Sequence, residues 1–345
     1  MKVAILHDHV PEGAPPDLLD TLTQVREVQG ILVQMGHEAQ TLALSEHLSD
    51  TAIRLLEYQP DLVFNLVETV WGLGRFIHLA PELLEALEIP YTGAQSWPMR
   101  LTSNKLLAKK TLREAGLPTP NWLATGESSP GVRSGARVII KSVWEHGSLG
   151  LEDDAVLFAS GTKALMSEMK RRQSALGGDC FAEEFIEGRE FTISMLVRGL
   201  EPEVLPPAET IFHGFAADSI KVVGYRAKWI SDSFEYQNTP RCYDIPKRDK
   251  PLVRRLSELG LASWRLFGLS GYARVDFRVD QTGRPWILEI NANPCLSSDA
   301  GFIAAAEEVG LDQRGVVTRI TEEVSLKRRL TDWSEPRRCR EHQAG

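Results

Sequence analysis

Two stretches near the C-terminal end constrain the fold most, because together they predict an antiparallel hairpin. Residues 271–280 read GYARVDFRVD and residues 286–294 read WILEINANP. Between them, 281–283 (QTG) has the composition of a tight turn. We therefore predict two short strands that fold back on each other.

Polar and apolar residues alternate along both predicted strands. Because side chains alternate between the two faces of a strand, Arg274 and Asp276 share one face with Arg278 and Asp280, and Glu289 shares a face with Asn291. The apolar faces are expected to consist of Val275, Phe277, Val279, Leu288 and Ile290. Antiparallel pairing would then bring Asp276, Glu289 and Asn291 together.

Two carboxylates and an amide oxygen suit Mg²⁺ bound together with a phosphate chain. They suit Zn²⁺ poorly, because no His or Cys converges there. The alternative interpretation is a solvated polar face on a half-buried sheet. The ordered set of Arg, Asp, Glu and Asn, which continues into the Asn- and Ser-containing loop 293–298, favours a functional site.

The first hundred residues alternate between apolar strand-like runs and helical patterns, which predicts a parallel sheet covered by helices. Ligands bind such sheets beyond the C-terminal ends of the strands. The loops after Leu6 and after Leu66 are therefore candidate ligand loops. Their candidate residues are His7, His9, Glu68, Trp71, Arg75 and His78.

The middle of the chain contains a candidate phosphate site. A predicted strand, 137–141, ends at Lys141, and a short loop containing Gly147 and Ser148 follows. Backbone amides in such a loop approach phosphate oxygens closely. We also expect a helix over 103–115, and a hairpin in which 181–186 pairs with 190–197.

Composition excludes several classes of protein. The chain has 345 residues with 43% hydrophobic and 25% charged residues, as in a globular enzyme of two or three domains. Its net charge of −8 argues against general nucleic-acid binding. No apolar run approaches the length of a membrane span, and the N-terminus lacks the pattern of a signal peptide. Four scattered cysteines without zinc spacing indicate reduced thiols, so we expect a cytoplasmic protein.

These pieces occur in an order that resembles the ATP-grasp superfamily, in its D-alanine–D-alanine ligase-like branch. The resemblance covers 2–324 and rests on 90–93 (PYTG), Asn104–Lys105, Ile140–Lys141, 183–192 (EEFIEGREFT), 227–232 (AKWISD), 273–276 (ARVD) and 288–294 (LEINANP). It implies an α/β fold with α+β lobes, namely an ATP-grasp fold with an N-terminal parallel-sheet pre-ATP-grasp domain. The implied domains are 1–100, 101–185 and 186–328, followed by a flexible tail, 329–345.

The resemblance also implies roles for individual residues. Lys105, Lys141 and Lys228 match lysines that contact ATP phosphates, and the Gly147–Ser148 loop lies beside them. Glu183 lies on the strand whose end meets the adenine, with Phe185 and Ile186 as the hinge, and Glu190 matches the ribose-binding carboxylate. Asp276, Glu289 and Asn291 match the ligands of two Mg²⁺ ions, with Mn²⁺ as an alternative. Arg274 and Lys228 are the implied catalytic residues, Arg274 beside the transferred phosphate and the developing oxyanion.

The chain departs from the ligase pattern where amino-acid substrates bind. The N-terminal Gly-Gly-x-Ser-x-Glu-like loop is replaced by 7–16 (HDHVPEGAPP), so Glu12 receives no role, and a His-Gly loop is replaced by 65–69 (NLVET). The Tyr after the third lysine is Trp229, the Gly after Pro294 is Cys295, and an expected Ser is Ala300. Candidate substrate contacts are Asp8, Glu68, Trp71, Arg75, Cys295 and Ser297.

The resemblance therefore predicts an ATP-dependent carboxylate–amine ligase that forms an amide through an acyl phosphate and releases ADP and phosphate, on substrates other than two D-alanines. Three alternatives stay open: a D-alanine–D-alanine ligase proper, a kinase that does not ligate, and a nucleotide-binding regulatory protein. The expected partners are a small carboxylate and a small amine, without nucleic acid or membrane. A homodimer is compatible with this expectation.

Overall fold

Helices pack against the β-sheets that follow one another along the chain. The computed structural model describes residues 1–125, 129–145, 147–148, 150–151, 154–216 and 219–334, with side chains to residue 330. Within these residues there are three sheets, of three, four and six strands. None of the helices described combines the length and the apolarity that crossing a bilayer requires.

The first sheet is parallel and has the order β2-β1-β3. The elements of this region are β1 (Lys2–His7), α1 (Pro16–Gln34), β2 (Glu38–Ala43), α2 (Leu48–Tyr58), β3 (Leu62–Asn65), α3 (Leu79–Ala86), α4 (Ser96–Ser103) and α5 (Lys105–Glu114). Val3 and Ile5 of β1 pack against α1 on one face, and Ala4 and Leu6 pack towards α2 and α3 on the other. The sheet is thus covered on both faces, as predicted.

The second sheet is antiparallel, with the order β4-β7-β5-β6. Its elements are β4 (Trp122–Ala124), β5 (Arg137–Ser142), β6 (Val156–Phe158), α6 (Thr162–Arg172) and β7 (Cys180–Glu184). Val138 and Ile140 of β5 pack against Leu165 and Met169 of α6. The opposite face of β5 presents Lys141 towards the rest of the molecule, where it lines a cleft.

The third sheet is the largest, and its main path is β11-β10-β8-β12-β13, with β9 paired to β8. The elements here are β8 (Gly188–Arg198), β9 (Glu201–Val204), β10 (Ala208–Thr210), α7 (Tyr225–Trp229), α8 (Phe234–Gln237), β11 (Arg241–Cys242), α9 (Lys250–Phe267), β12 (Tyr272–Asp280), β13 (Pro285–Asn291), α10 (Gly301–Glu307) and α11 (Gln313–Ser334). Leu256, Leu259 and Trp264 of α9 pack on its apolar face.

Two local predictions were wrong. The strand at 181–186 does not pair with 190–197, because β7 lies in the second sheet and β8 begins the third. The helix expected from residue 103 begins at Lys105, because Asn104 caps it by accepting from the Leu107 amide at 2.9 Å. Residues 329–334 of the predicted tail continue α11, and the rest of that segment lies outside the described residues.

Gly188 is the point where the chain passes from the second sheet into the third. Its φ of 144° is one that residues with a side chain rarely adopt, and a Cβ there would lie 2.0 Å from the Val279 carbonyl oxygen of β12. Only glycine permits this close approach. The sequence marks the position as a turn, but the turn redirects the strand into another sheet instead of closing a hairpin.

We predict that Gly188→Ala lowers the free energy of unfolding by about 3 kcal/mol or more, because it adds a backbone clash to an unfavourable φ. Gly199→Ala is the matched control, since Gly199 also has positive φ (69°) but open space around its Cα. Its expected cost is about 1 kcal/mol. Urea unfolding of the three proteins measures the difference, and equal losses in the two variants would contradict the proposed clash.

Candidate active site

The hairpin of β12 and β13 brings the predicted acidic residues together. Asp276 lies directly opposite Glu289, and Arg274 lies opposite Asn291. The predicted pairing is therefore confirmed. These side chains are partly buried, whereas Val275, Phe277 and Ile290 on the other face are fully buried in the core.

A β-bulge changes which apolar residue of β13 reaches the core. The register shifts between Asp276 and Phe277, so that Phe277 pairs with Ile287 and leaves Leu288 as the extra residue. Ile287 is fully buried in the core, and Leu288 lines a cleft. The prediction that Leu288 belongs to the apolar face was wrong, because a bulge reverses the alternation locally.

Cationic groups compensate both carboxylates of the hairpin. The Arg274 guanidinium forms two hydrogen bonds of 3.0 Å to Asp276, one to each carboxylate oxygen. Lys105 Nζ lies 3.5 Å from Glu289 Oε1 and donates to the Glu145 carbonyl at 2.6 Å. Burial lowers the pKa of Lys228, as does nearby Arg274, while Asp276 and Glu289 act in the opposite direction. The site is thus a balanced set of buried charges.

The cleft beside this hairpin lies between the second and third sheets and contains about 830 Å³ of empty space, its open mouth included. The charged and hydroxyl-bearing residues that line it are Lys105, Lys141, Ser142, Glu145, Ser148, Glu183, Glu184, Glu190, Lys228, Asp276, Arg278 and Glu289. Its apolar lining residues are Ile139, Leu151, Phe185, Ile186, Val222, Val223 and Leu288. A lining with both kinds of residue fits a ligand that has an apolar portion and a strongly anionic one.

Glu183 lies in this cleft between two lysines. Lys141 Nζ is 2.6 Å from its Oε2, and Lys109 Nζ contacts its Oε1. Burial alone would raise the pKa of Glu183, but the two lysines outweigh burial and hold its pKa below the ordinary range. Sequence reasoning missed Lys109, although its position one helical turn after Lys105 places both on the same side of α5.

Glu190 lies in the cleft opposite Arg278 on β12. Arg278 is 2.9 Å from Glu190 Oε2, and it also donates to the carbonyls of Gly188 and Lys221. A buried guanidinium with three acceptors fixes the position of the Glu190 carboxylate.

Two loop segments, which we call the lids, meet over the cleft: one contains Gly147 and Ser148, and the other is 219–234. Ser148 Oγ donates to the Val223 carbonyl at 2.9 Å, and Trp229 Nε1 donates to the Gly147 carbonyl at 3.1 Å. Tyr225 donates to Asp17 of α1 at 3.0 Å. The segment 219–234 therefore contacts both the glycine-containing loop and the first helix.

Asp8 and Glu68 come together at the C-terminal ends of β1 and β3. The Asp8 carboxylate accepts from the Glu68 amide at 2.9 Å and from both the amide and the hydroxyl of Thr69. Burial raises the pKa of Asp8 to about 6 despite these bonds. Burial, followed by the charges of Asp8 and Asp20, raises the pKa of Glu68 to about 8. Asp8 holds the loop, and Glu68 is the more available of the two for a ligand.

Cys295 and Ser297 contact the first helix. Cys295 Sγ lies 3.0 Å from Asp20 Oδ2 and 2.9 Å from Ser297 Oγ. Burial raises the pKa of the Cys295 thiol, and Glu68 and Asp20 raise it further, so this thiol is unsuited to nucleophilic chemistry. Asp20 was not predicted, because only the tertiary fold brings α1 beside this loop.

Trp71 and Arg75 do not join the other candidates. The Trp71 side chain is half exposed and donates to the Glu46 carbonyl at 2.7 Å, and the Arg75 guanidinium lies 4.6 Å from the ring centre of Phe76. Glu68 and Asn291 instead share a smaller pocket of about 290 Å³ of empty space. Its other lining residues are Ile77, Met99, Thr102, Ser103, Ala292 and Asn293.

The donor set of the hairpin fits a cation that arrives with phosphate. In the part of the chain that the structure describes, no three His, Cys, Asp or Glu residues are grouped as ligands for a metal. Mg²⁺ in nucleotide sites commonly takes only one or two protein carboxylates, with phosphate and water oxygens completing its shell. Asp276 and Glu289, which line the cleft, match that requirement, whereas Asn291 lines the smaller pocket.

Comparison with known proteins agrees with this geometry. The family model for the D-ala D-ala ligase C-terminus matches residues 135–322. An uncharacterized protein, y4sG, of Sinorhizobium fredii is 30% identical over 85% of this chain and 84% of its own length. The D-alanine–D-alanine ligase of Aquifex aeolicus is 28% identical over 86% and 92%. In fold, the chain is similar to the crystal structure of the Bacillus anthracis D-alanine–D-alanine ligase complexed with ATP, with a TM-score of 0.69 and 19% identity over 96% of this chain and 99% of that one.

We predict that Glu68→Gln changes the pH dependence of stability. The pKa of Glu68 is about 8 in the folded protein, so between the ordinary carboxyl range and pH 8 the folded state binds more protons than the unfolded state. Wild-type stability therefore falls as pH rises through that window. The variant lacks this loss, so its stability relative to wild type should rise from pH 5.5 to pH 8 by on the order of 1 kcal/mol or more.

Urea unfolding at the two pH values measures this change. Glu57→Gln is the control, because Glu57 is an exposed residue of α2. A Glu68→Gln effect that does not change with pH would show that the folded protein does not hold a proton at this carboxyl.

Proposed function

This chain belongs to the D-alanine–D-alanine ligase family and is an ATP-grasp ligase, and from that premise we propose that it joins a carboxylate to an amine other than two D-alanines. ATP activates the carboxylate as an acyl phosphate, and the amine displaces phosphate to leave an amide. The observation that carries the proposal is the cleft that Lys105, Lys141 and Lys228 line together with the Asp276–Glu289 pair. Fixed cations of this kind are needed where phosphoryl transfer concentrates negative charge.

The cleft supports a division of roles along the nucleotide. The apolar part, with Phe185 and Ile186, would hold the base, and Glu183 would meet its edge. Glu190, fixed by Arg278, would bind the ribose. The lysines, together with Gly147 and Ser148, would hold the phosphates.

Asp276, Glu289 and Asn291 would hold Mg²⁺, two ions in our proposal, for which Mn²⁺ can substitute. The cation supplies charge neutralisation between the phosphates and the attacking carboxylate.

The proposed reaction has two displacement steps, in each of which one bond forms and one breaks. A carboxylate oxygen attacks the γ-phosphorus, and the bond to the β-phosphate oxygen breaks to release ADP. The amine nitrogen then attacks the acyl carbon, the acyl–phosphate bond breaks, and the nitrogen loses a proton. Arg274, held beside the site by Asp276, would stabilise the oxyanion of the tetrahedral species. The contacts between the two lids would exclude water, which hydrolyses acyl phosphates.

The region beyond the hairpin supports substrates other than two D-alanines. Cys295 and Ala300 stand where the ligase pattern has Gly and Ser, and Glu12 of the altered N-terminal loop is exposed. Asp20 lies against Cys295 instead, with Glu68 nearby. The second candidate function is D-alanine–D-alanine ligation itself, which the name of the Aquifex aeolicus relative favours.

We further propose domains of 1–100, 101–185 and 186–328, which follow the three sheets, and a cytoplasmic protein that acts on small molecules, with a homodimer as its assembly. The boundary at 185 falls between β7 and β8, where no strand crosses from one sheet to the next.

The proposal is tested by phosphate release from ATP with a panel of carboxylates and amines, D-alanine included. We expect ADP and phosphate only when one carboxylate and one amine are both present, together with an amide product by mass spectrometry. Efficient release with D-alanine as the sole substrate would identify the second candidate instead. A stable phosphorylated product without an amine would indicate a kinase, and binding without turnover across the panel would indicate a regulatory protein.

Two variants test the assigned residues. Lys141→Ala should lower turnover by about 100-fold or more, since it removes a cation from the phosphate site and a partner of Glu183.

Asp276→Asn should raise the Mg²⁺ concentration needed for half-maximal rate by about tenfold or more. Lys163→Ala is the control, because Lys163 is an exposed residue of α6, the helix that packs on the second sheet. Turnover and Mg²⁺ dependence like those of wild type would reject the assignments.

A further inference from the structure

Lys109 is a buried cation to which the proposed reaction assigns no role. Its side chain is 1% exposed, although lysine is almost never fully buried without a partner. Nζ contacts Glu183 Oε1, donates to Thr119 Oγ1 at 2.8 Å, and lies 5.2 Å from the ring centre of Trp122. Thr119 in turn donates to the Ile287 carbonyl of β13 at 3.0 Å. Lys109 is therefore anchored on both sides.

The carboxylate that Lys109 contacts is positioned by three strands. In the second sheet, Glu183 of β7 lies opposite Ile139 of β5 and Trp122 of β4, and these cross-strand partners share its face. Lys141 holds the other carboxylate oxygen at 2.6 Å. Both Glu183 and Ile139 line the cleft, beside Phe185 and Ile186. Glu183 is thus fixed at the part of the cleft that suits a base.

Each lysine takes one lone pair from one carboxylate oxygen and leaves others unused. A carboxylate that stays ionised accepts hydrogen bonds and donates none. Burial would raise the pKa of Glu183, but Lys109 and, to a smaller extent, Lys141 lower it below its ordinary range. A lowered pKa agrees with an ionised carboxylate. An amino group of a base would satisfy its free lone pair, whereas a carbonyl oxygen would face it as a second acceptor.

We infer that Lys109 is a positioning residue that keeps Glu183 a fixed acceptor, so that the cleft selects purine nucleotides with a 6-amino group over those with a 6-oxo group. The inference rests on the proposed nucleotide function and adds to it the residue that sets base selectivity. Lys109 acts through Glu183 and does not touch the nucleotide.

A purely structural ion pair would behave differently. If Lys109 only joins α5 to the second sheet, its loss weakens the fold and lowers affinity for every nucleotide alike. If it sets the acceptor character of Glu183, its loss changes the ratio of affinities for two nucleotides that differ only at the 6-position. The ratio therefore separates the two roles.

The test is calorimetric titration of the full chain with ATP and with inosine triphosphate, each with Mg²⁺ and without carboxylate or amine. Wild type is expected to bind ATP at least about tenfold more tightly. In Lys109→Met this preference should fall to about threefold or less, and Lys109→Arg, which keeps the charge, should restore most of it. Lys163→Met changes an exposed residue of α6 and should leave the preference for ATP unchanged.

Thr119→Val is the second variant, in case Lys109→Met does not fold. It keeps both charges and the side-chain shape but removes the hydroxyl that accepts from Lys109. The expected result is a smaller fall of the preference, about twofold to fivefold, in the same direction.

Two outcomes would overturn the claims separately. If the wild-type chain binds neither nucleotide, the proposed function is wrong. A wild-type chain that prefers ATP, with a preference that neither Lys109→Met nor Thr119→Val alters, leaves that function standing and assigns Lys109 a structural role only.

Discussion

The pairing of β12 with β8 on one side and β13 on the other is the constraint on which the site depends. Val275, Phe277 and Val279 of β12 are buried with Phe191 and Ile193 of β8 in one core. Because side chains alternate with a period of two, a register slip by one residue would bury Arg274 and Asp276 and expose that core. The apolar face therefore fixes, by hydrophobic burial, which polar residues face the cleft.

Charge compensation is the second requirement, because the cleft places many ionised groups in a partly buried space. Four carboxylates of the cleft have a cation within reach: Asp276 has Arg274, Glu289 has Lys105, Glu190 has Arg278, and Glu183 has two lysines. An uncompensated charge at such a position would cost several kcal/mol. The same pairs hold the side chains in place before a ligand arrives, which reduces the reorganisation that binding and catalysis require.

Alternation and turn composition were sufficient to predict the hairpin and its facing carboxylates, because both signals are local. The bulge at Leu288 was not predictable from them, since Ile287 and Leu288 are both apolar and either fits the core. The prediction of a β7–β8 hairpin was wrong for a similar reason. A sequence that fits any half-buried strand does not specify its partner strand, and the chain turns at Gly188, with its unusual φ, into another sheet. Lys109 and Asp20 were missed because their partners lie 74 and 275 residues away in sequence. The proposed nucleotide-binding residues rest on their order along the chain, which a family resemblance detects and local physics does not.

The cleft and the loops after β1 and β3 differ in how their charges respond to burial. In the cleft, cations and carboxylates pair at close range, Lys141 with Glu183 and Lys105 with Glu289. In the loops after β1 and β3, acids lie near acids, and the pKa of Glu68 rises to about 8. Near neutral pH Glu68 is therefore mostly protonated and cancels little of the positive charge of Arg274. Protonation of Glu68 thus removes one negative charge that would oppose the electrostatic stabilisation of an anionic transition state.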